Sequence, residues 1–175
     1  MSADRWLHED LRQHGGADAL VEPGYWALGV YRLGRWSLQR RTQTGRWVSS
    51  KVYRALSAGI QLGLGVTVPR EARIGRAFHM IHGNGVRIHP DAVIGDRVTV
   101  MHEVTIGLSI DREGAPRIGN DVYVGAGAKI LGPVTVGDGA LIAPNSLVIS
   151  DVPPRATVMG VPARVVPSGH GAPKR

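Results

Sequence analysis

From Val68 onward a branched aliphatic or similar residue recurs at a fixed step: Val68, Ile74 and Met80, then Ile88, Ile94, Val100 and Ile106, then Ile118, Val124, Ile130, Val136, Ile142 and Val148. Within each run the step is six residues. A second column lies four positions after the first and is small or branched, at Ala72, Ala92, Val98, Val104, Val122, Ala128, Val134, Ala140, Ser146 and Val152. Glycine directly follows the aliphatic at Gly75, Gly95, Gly107, Gly119, Gly125 and Gly137. Two phased columns of this length predict a coil in which each hexapeptide supplies one short flat side of a triangle. The aliphatics stack inward, and glycine or small residues fit the tight corners. Three hexapeptides close a turn, and successive turns pair through parallel ladder bonds about 4.8 Å apart. Each turn covers the face of the one before it, so the end turns need caps.

The pattern before this coil is helical. Trp6, Leu7 and Leu11 share helical spacing, as do Tyr25, Trp26, Val30, Leu33 and Trp36, and then Val48, Val52, Leu56 and Ile60. Pro23 and Gly24 punctuate the first break, and the pair Thr44 and Gly45 suggests a second. The chain therefore divides into an N-terminal helical segment at 1–65 that caps the coil, a parallel β-helix at 66–165, and a tail at 166–175, read as disordered from its sequence PSGHGAPKR. The expected class is mainly β with a helical N-terminal segment.

Two places break the period of six. The step from Met80 to Ile88 is eight, adding two residues around the sequence HGNG, and the step from Ile106 to Ile118 is twelve. Residues Leu108 to Arg117 lack the repeat and predict a protruding loop. Departures from a regular scaffold are where function tends to sit.

Composition narrows the chemistry. Twenty-four glycines with a single phenylalanine in 175 residues exclude an ordinary aromatic-rich core, as a repetitive coil requires. With no cysteine there is no disulfide, thiolate nucleophile or cysteine-bound zinc, which leaves His, Asp, Glu, Ser and backbone groups. The start, MSADRWLHEDLRQ, has acids and no apolar run, and ALSAGIQLGLGVTVP is too short and glycine-rich to span a bilayer, so the expectation is a soluble cytoplasmic protein. The net charge of +7 is uneven: Arg32, Arg35, Arg40, Arg41, Arg46, Lys51 and Arg54 occur with no acid among them. That stretch is read as a solvated helix face, since no nucleic-acid motif accompanies it. Its alternative role is as the binding surface of a non-catalytic β-helix.

The candidate chemistry centres on two histidines. A turn of 18 residues plus the two-residue insertion puts position 82 under position 102, and both are histidine. His82 and His102 are each two residues beyond their aliphatic, so their side chains are expected at equivalent sites on adjacent turns, about 5 Å apart. Histidine suits a general base that deprotonates an alcohol for attack on a thioester. The competing readings are stacked surface polar residues, or half of a metal site. No third ligand is obviously convergent, so no metal is expected. His8, His14 and His170 are read as surface residues.

At this point the chain resembles the hexapeptide-repeat acyltransferases, and within them the serine acetyltransferase branch. The resemblance rests on GYWALGVYRLGRW, ARIGRAFHMIHGNGV, VTIG, PRIGNDVYVGAGAKILGPVTVGDGA and DVPPRATVMGVPARVV, which together cover nearly the whole length. It implies a left-handed coil, a homotrimer with active sites between neighbouring subunits, and acetyl-CoA as co-substrate in the groove between coils. His82 matches the catalytic base, and His102 is expected to orient it or to bind the acceptor. Gly107, Ala126 and Pro144 would meet CoA through backbone groups, with Lys129 and Arg164 as phosphate contacts. Backbone N–H groups would stabilise the tetrahedral oxyanion.

Several family positions differ. The acceptor-holding aspartate before the histidine falls on Ile81, the aspartate that pairs with the histidine on Thr67, and the loop's arginine–histidine pair on Gly114 and Ala115. A zwitterionic acceptor needs a fixed cation and a fixed anion. Arg112, Asn84, and Asp10 or Glu9 remain as acceptor-binding candidates. The altered loop shifts the expected hydroxyl acceptor from serine toward a sugar, a polysaccharide unit or another small metabolite. The third class, a metal-dependent β-helix enzyme of the carbonic anhydrase kind, needs three well-placed histidines.

Overall fold

The structure, a computed structural model, describes residues 9–10, 22–40 and 42–166. Among the described residues, helices α1 (Pro23–Leu38) and α2 (Gln43–Leu64) precede fourteen short strands. Trp6, Leu7 and Leu11 of the first helical run and the tail beyond Val166 lie outside the described residues, while Glu9 and Asp10 within that run are helical.

The strands form three sheets that are the three sides of a coil. Side one is β1 (Arg73–Ile74), β4 (Val93–Ile94), β7 (Arg117–Ile118) and β10 (Thr135–Val136). Side two holds β2 (His79–Met80), β5 (Thr99–Val100), β8 (Tyr123–Val124), β11 (Leu141–Ile142), β13 (Thr157–Gly160) and β14 (Ala163–Val166). Side three is β3 (Arg87–Ile88), β6 (Thr105–Gly107), β9 (Lys129–Leu131) and β12 (Leu147–Val148). Pairing between turns is parallel throughout, with Ile74 against Ile94, Met80 against Val100 and Ile88 against Ile106. The exception is the antiparallel hairpin β13–β14, which closes the far end. The period of six does not announce this hairpin.

Both sequence columns point inward. Met80, Val100, Ile106, Val124, Ile130 and Ile142 are fully buried, and so are Ala72, Ala92, Val98, Val104, Val122 and Ala128. The glycine after each aliphatic reflects close approach between turns. A Cβ on Gly95 would lie 2.7 Å from the backbone of Gly119, a distance real Cβ atoms essentially never show.

The helices do cap the first turn, but with a different face from the one their periodicity suggests. On α1 the buried residues are Gly24, Ala27, Leu28, Tyr31, Arg32, Gly34 and Ser37, while Trp26 and Trp36 are exposed. Small residues let the helix lie on the end of the coil: a Cβ on Gly24 would sit 2.7 Å from the Cβ of Met80. The open backbone of the first turn is then satisfied by side chains from α1. Tyr31 donates its hydroxyl to Ala72 O at 2.9 Å and accepts from Ile74 N–H at 3.1 Å, and Arg32 donates to Ile74 O at 3.0 Å and Gly75 O at 2.6 Å. Burial pushes the Tyr31 hydroxyl above its ordinary pKa.

Helix α2 likewise buries Ser49 and Tyr53 and turns Val48, Val52 and Leu56 outward at 53%, 46% and 45% exposure, while Ile60 of the same stripe packs against the core. Thr44 and Gly45 lie inside its first turn; the break falls at 39–42. Among the described residues, no helix is long and apolar enough to cross a membrane.

Candidate active site

The corner between sides two and three is occupied on successive turns by residues 81–86, 101–104, 125–128 and 143–146. The three later corners share one pattern. Each places a residue with left-handed φ just before the small inward residue: Glu103 (59°), Gly127 (69°) and Asn145 (57°). The N–H of that residue bonds to the carbonyl of the preceding turn, from Gly127 to His102 at 3.0 Å and from Asn145 to Ala126 at 2.8 Å.

The first corner carries the two extra residues, and the ladder shows where they go. On entry the register offset is 20, with Ile81 N–H bonded to Val100 O at 2.9 Å. On exit it is 18, with Glu103 N–H bonded to Asn84 O at 2.8 Å. His82 and Gly83 are therefore looped out, and His82 takes a left-handed φ of 52°. This corrects the expected stacking of the histidines. The residue equivalent to His102 on the first turn is Asn84, because the ladder regains its normal offset directly after the insertion. Asn84, His102, Ala126 and Pro144 then form one column along this corner.

The bulge is held against the start of α1. A Cβ on Gly83 would lie 2.9 Å from Gly24 Cα, so the two backbones touch at a glycine pair. Pro23 opens α1, and Glu22 sits at its N-cap without a side-chain capping bond. This brings Glu22 Oε1 to 3.8 Å from His82 Nδ1. The His82 side chain is 69% exposed. Glu22 Oε2 and His102 Nδ1 are buried without a hydrogen-bond partner.

Glu22 is not among the residues that the sequence pattern singles out. Its only local signal is an acid directly before Pro23 and Gly24, the last acid before a stretch with none until Glu71. Its contact with His82 is tertiary and has no signature in spacing.

The other candidates fall in three places. Lys129 opens β9 beside the column and donates from Nζ to Glu103 O at 2.5 Å, while Gly107 ends β6 at the far edge of the same side. Gly107, Ala126, Lys129 and Pro144 thus border side three from both edges. Arg164 lies on the terminal hairpin and turns its guanidinium to the neighbouring carbonyl of Ala163 at 3.0 Å.

Arg112 belongs to the loop after β6, at the corner between sides three and one. It donates to Ile149 O at 2.7 Å. Ser109 and Asp111 bond within that loop, and the Ser109 hydroxyl holds the Asp111 carboxyl below its usual range. Within one chain the loop leans toward later turns, away from the His82 bulge. Asp10 is 1% exposed and takes Arg32 in a 3.0 Å ion pair. That clamp faces Ile74 and Gly75, at the corner between sides one and two. Among the described residues no group of three or more His, Asp or Glu could hold a metal ion.

An exposed histidine on a bulge, a carboxylate beside it and a column of repeated corners form a setting for proton abstraction next to an extended ligand. The family model for the bacterial transferase hexapeptide of six repeats matches residues 115–150. These features define the class, a hexapeptide-repeat acyltransferase.

A serine acetyltransferase of Helicobacter pylori strain J99 is 38% identical over 168 residues, covering 94% of each chain. Relatives of the same name from Synechococcus elongatus and Mycobacterium tuberculosis are longer, and the chain spans 64% of each. Among solved structures, soybean serine acetyltransferase complexed with serine superposes with a TM-score of 0.82 at 33% identity, covering 94% of this chain and 70% of that one. The Brucella abortus strain S19 enzyme in complex with coenzyme A gives 0.82 at 29%, covering 97% and 69%. The chain belongs to the hexapeptide-repeat acyltransferase family, in its serine acetyltransferase branch. The glycan acceptor expected from the altered loop gains no support from these relatives.

Proposed function

We propose that this chain transfers the acetyl group of acetyl-CoA to the hydroxyl of serine, with His82 as general base. The observation that carries this reading is the exposed His82 imidazole on the only bulged corner of its column, beside side three. His82 Nε2 takes the hydroxyl proton as the oxygen attacks the thioester carbonyl. The tetrahedral oxyanion then collapses, the carbon–sulfur bond breaks, and the leaving thiolate takes the proton from His82. No covalent acyl-enzyme is needed. The names of the matched relatives and the CoA-bound structural neighbour support serine and acetyl-CoA.

CoA would lie along side three between the corner column and Gly107, with Ala126 and Pro144 meeting it through backbone groups and Lys129 supplying a cation. Arg164 extends the same reading toward the terminal hairpin. His102, on the next turn of the column, and Asn84, at the exit of the bulge, face the acceptor side. Arg112 would serve a neighbouring copy in a homotrimer.

Release of CoA thiol from acetyl-CoA, measured against L-serine, a sugar panel and simple alcohols, tests the assignment. Serine-dependent release supports it. Turnover with sugars but not with serine restores the glycan reading, and no turnover with any hydroxyl contradicts both. Sedimentation analysis tests the trimer, and a monomer would remove the assignment of Arg112.

A further inference from the structure

We infer that Glu22 is the positioning residue for His82, accepting a hydrogen bond from Nδ1–H so that Nε2 faces the acceptor hydroxyl. The inference rests on the proposed role of His82 as base.

Three observations meet at this carboxylate. Glu22 occupies the N-cap of α1, and its carboxylate makes no bond to the N–H groups of that helix. Its Oε2 is buried without a partner, and leaving such an atom unsatisfied is unfavourable. Its Oε1 is 3.8 Å from His82 Nδ1, and no other carboxylate among the described residues pairs with that ring. Nothing else in the described structure accounts for the carboxylate.

The placement is built into the backbone. Gly24 and Gly83 touch, Glu22 lies two residues before one and His82 one residue before the other, and Pro23 fixes the chain direction between Glu22 and the helix. A distance of 3.8 Å is longer than a hydrogen bond. The exposed His82 ring has room to turn, and such bonds commonly tighten only when substrate is in place. Because Oε2 is enclosed, that oxygen is closed to the acceptor. The oxygen that remains, Oε1, is the one beside the His82 ring, so the carboxylate is assigned to act through the histidine.

The experiment compares Glu22→Gln, Glu22→Asp, His82→Ala and the double variant Glu22→Gln with His82→Ala, using whichever hydroxyl acceptor the wild type turns over. Glu22→Gln is expected to lower kcat roughly 10- to 100-fold, a part of the ~10²–10⁴ that general-base catalysis contributes. KM for acetyl-CoA stays within about twofold, and Glu22→Asp recovers part of the loss. In the His82→Ala background Glu22→Gln has no further effect, since residues that act as a unit are not additive. A purely structural role would add the same loss in both backgrounds. Nitrogen-15 shifts of the His82 ring give a readout independent of turnover: Nδ1 carries the proton in the wild type, and Glu22→Gln abolishes that preference. Unchanged kcat in Glu22→Gln, an equal loss in the His82→Ala background, or an unaltered ring tautomer overturns the inference. A wild type inert toward every hydroxyl overturns the proposed function instead, and leaves the ring measurement to judge Glu22.

Discussion

The corner from Met101 to Val104 and the corner from Ile81 to Val86 join the same two sides of the coil, one turn apart. The later corner is regular: Glu103 takes the left-handed turn, Val104 drops into the core, and the ladder passes to the next turn at Gly127. The first corner ends the same way, with Val86 in the core and Asn84 O bonded to Glu103 N–H, but holds two more residues on the way. The coil is thus unaffected on either side of the insertion. The added residues are free to project His82 and to bring Gly83 against Gly24. Regular corners carry the fold, and the bulged one carries an exposed imidazole that the fold does not need.

That contrast can be broken from either side. The largest effect is expected from deleting His82 and Gly83 together, which restores the regular spacing: acetyl transfer falls by about 10²–10⁴, while the circular dichroism of the β coil persists. Loss of the fold in this variant would mean that the bulge is structural. On the regular side that follows this later corner the opposite holds. Ile106→Ala, in the fully buried column, should lower unfolding free energy by about 2–5 kcal/mol in a denaturant titration and leave kcat in the folded protein unchanged.

A smaller effect is expected at the cap. Tyr31→Phe removes the hydroxyl that serves both Ala72 O and Ile74 N–H, leaving buried backbone groups unpaired, for about 1–3 kcal/mol. Equal stability of Tyr31→Phe and wild type would show that α1 does not cap the coil through this residue.

The smallest effect concerns pH. Asp96 accepts the Arg76 N–H at 2.8 Å and its guanidinium at 2.9 Å, and the backbone bond foremost holds its carboxyl below the ordinary value. A carboxyl depressed in the folded state binds protons less readily than in the unfolded chain. Its stabilisation is therefore complete above about pH 4 and fades as pH falls through the folded value. Asp96→Asn should flatten the acid side of the melting temperature against pH; an unchanged slope would assign that slope to other groups.

Much of this contrast is legible in the chain itself. The period of six places Ile74, Met80, Val100 and Ile106 in the core because any short flat side must bury one residue per hexapeptide, and both irregular steps occur where the structure departs from the coil. Stacking of His82 on His102 does not follow from residue counting, since an insertion shifts the ladder only up to the point where it rejoins, and that point is Asn84. The helix faces were also hidden. Tryptophans and valines mark an apolar stripe on α1 and α2, but α1 meets the coil through Gly24, Ala27, Leu28 and Tyr31, where small residues allow close approach and Leu28 and Tyr31 join the core. Glu22 and His82 stand sixty positions apart, and only the packing of α1 on the first turn brings them together.

The proposed function has the bulge hold His82 as a base. Its most direct test is CoA thiol release with L-serine by His82→Ala, alongside calorimetric binding of CoA to the same variant. In this variant kcat is expected to fall by about 10²–10⁴ with CoA binding intact. A His82→Ala protein that keeps most of its kcat would contradict it.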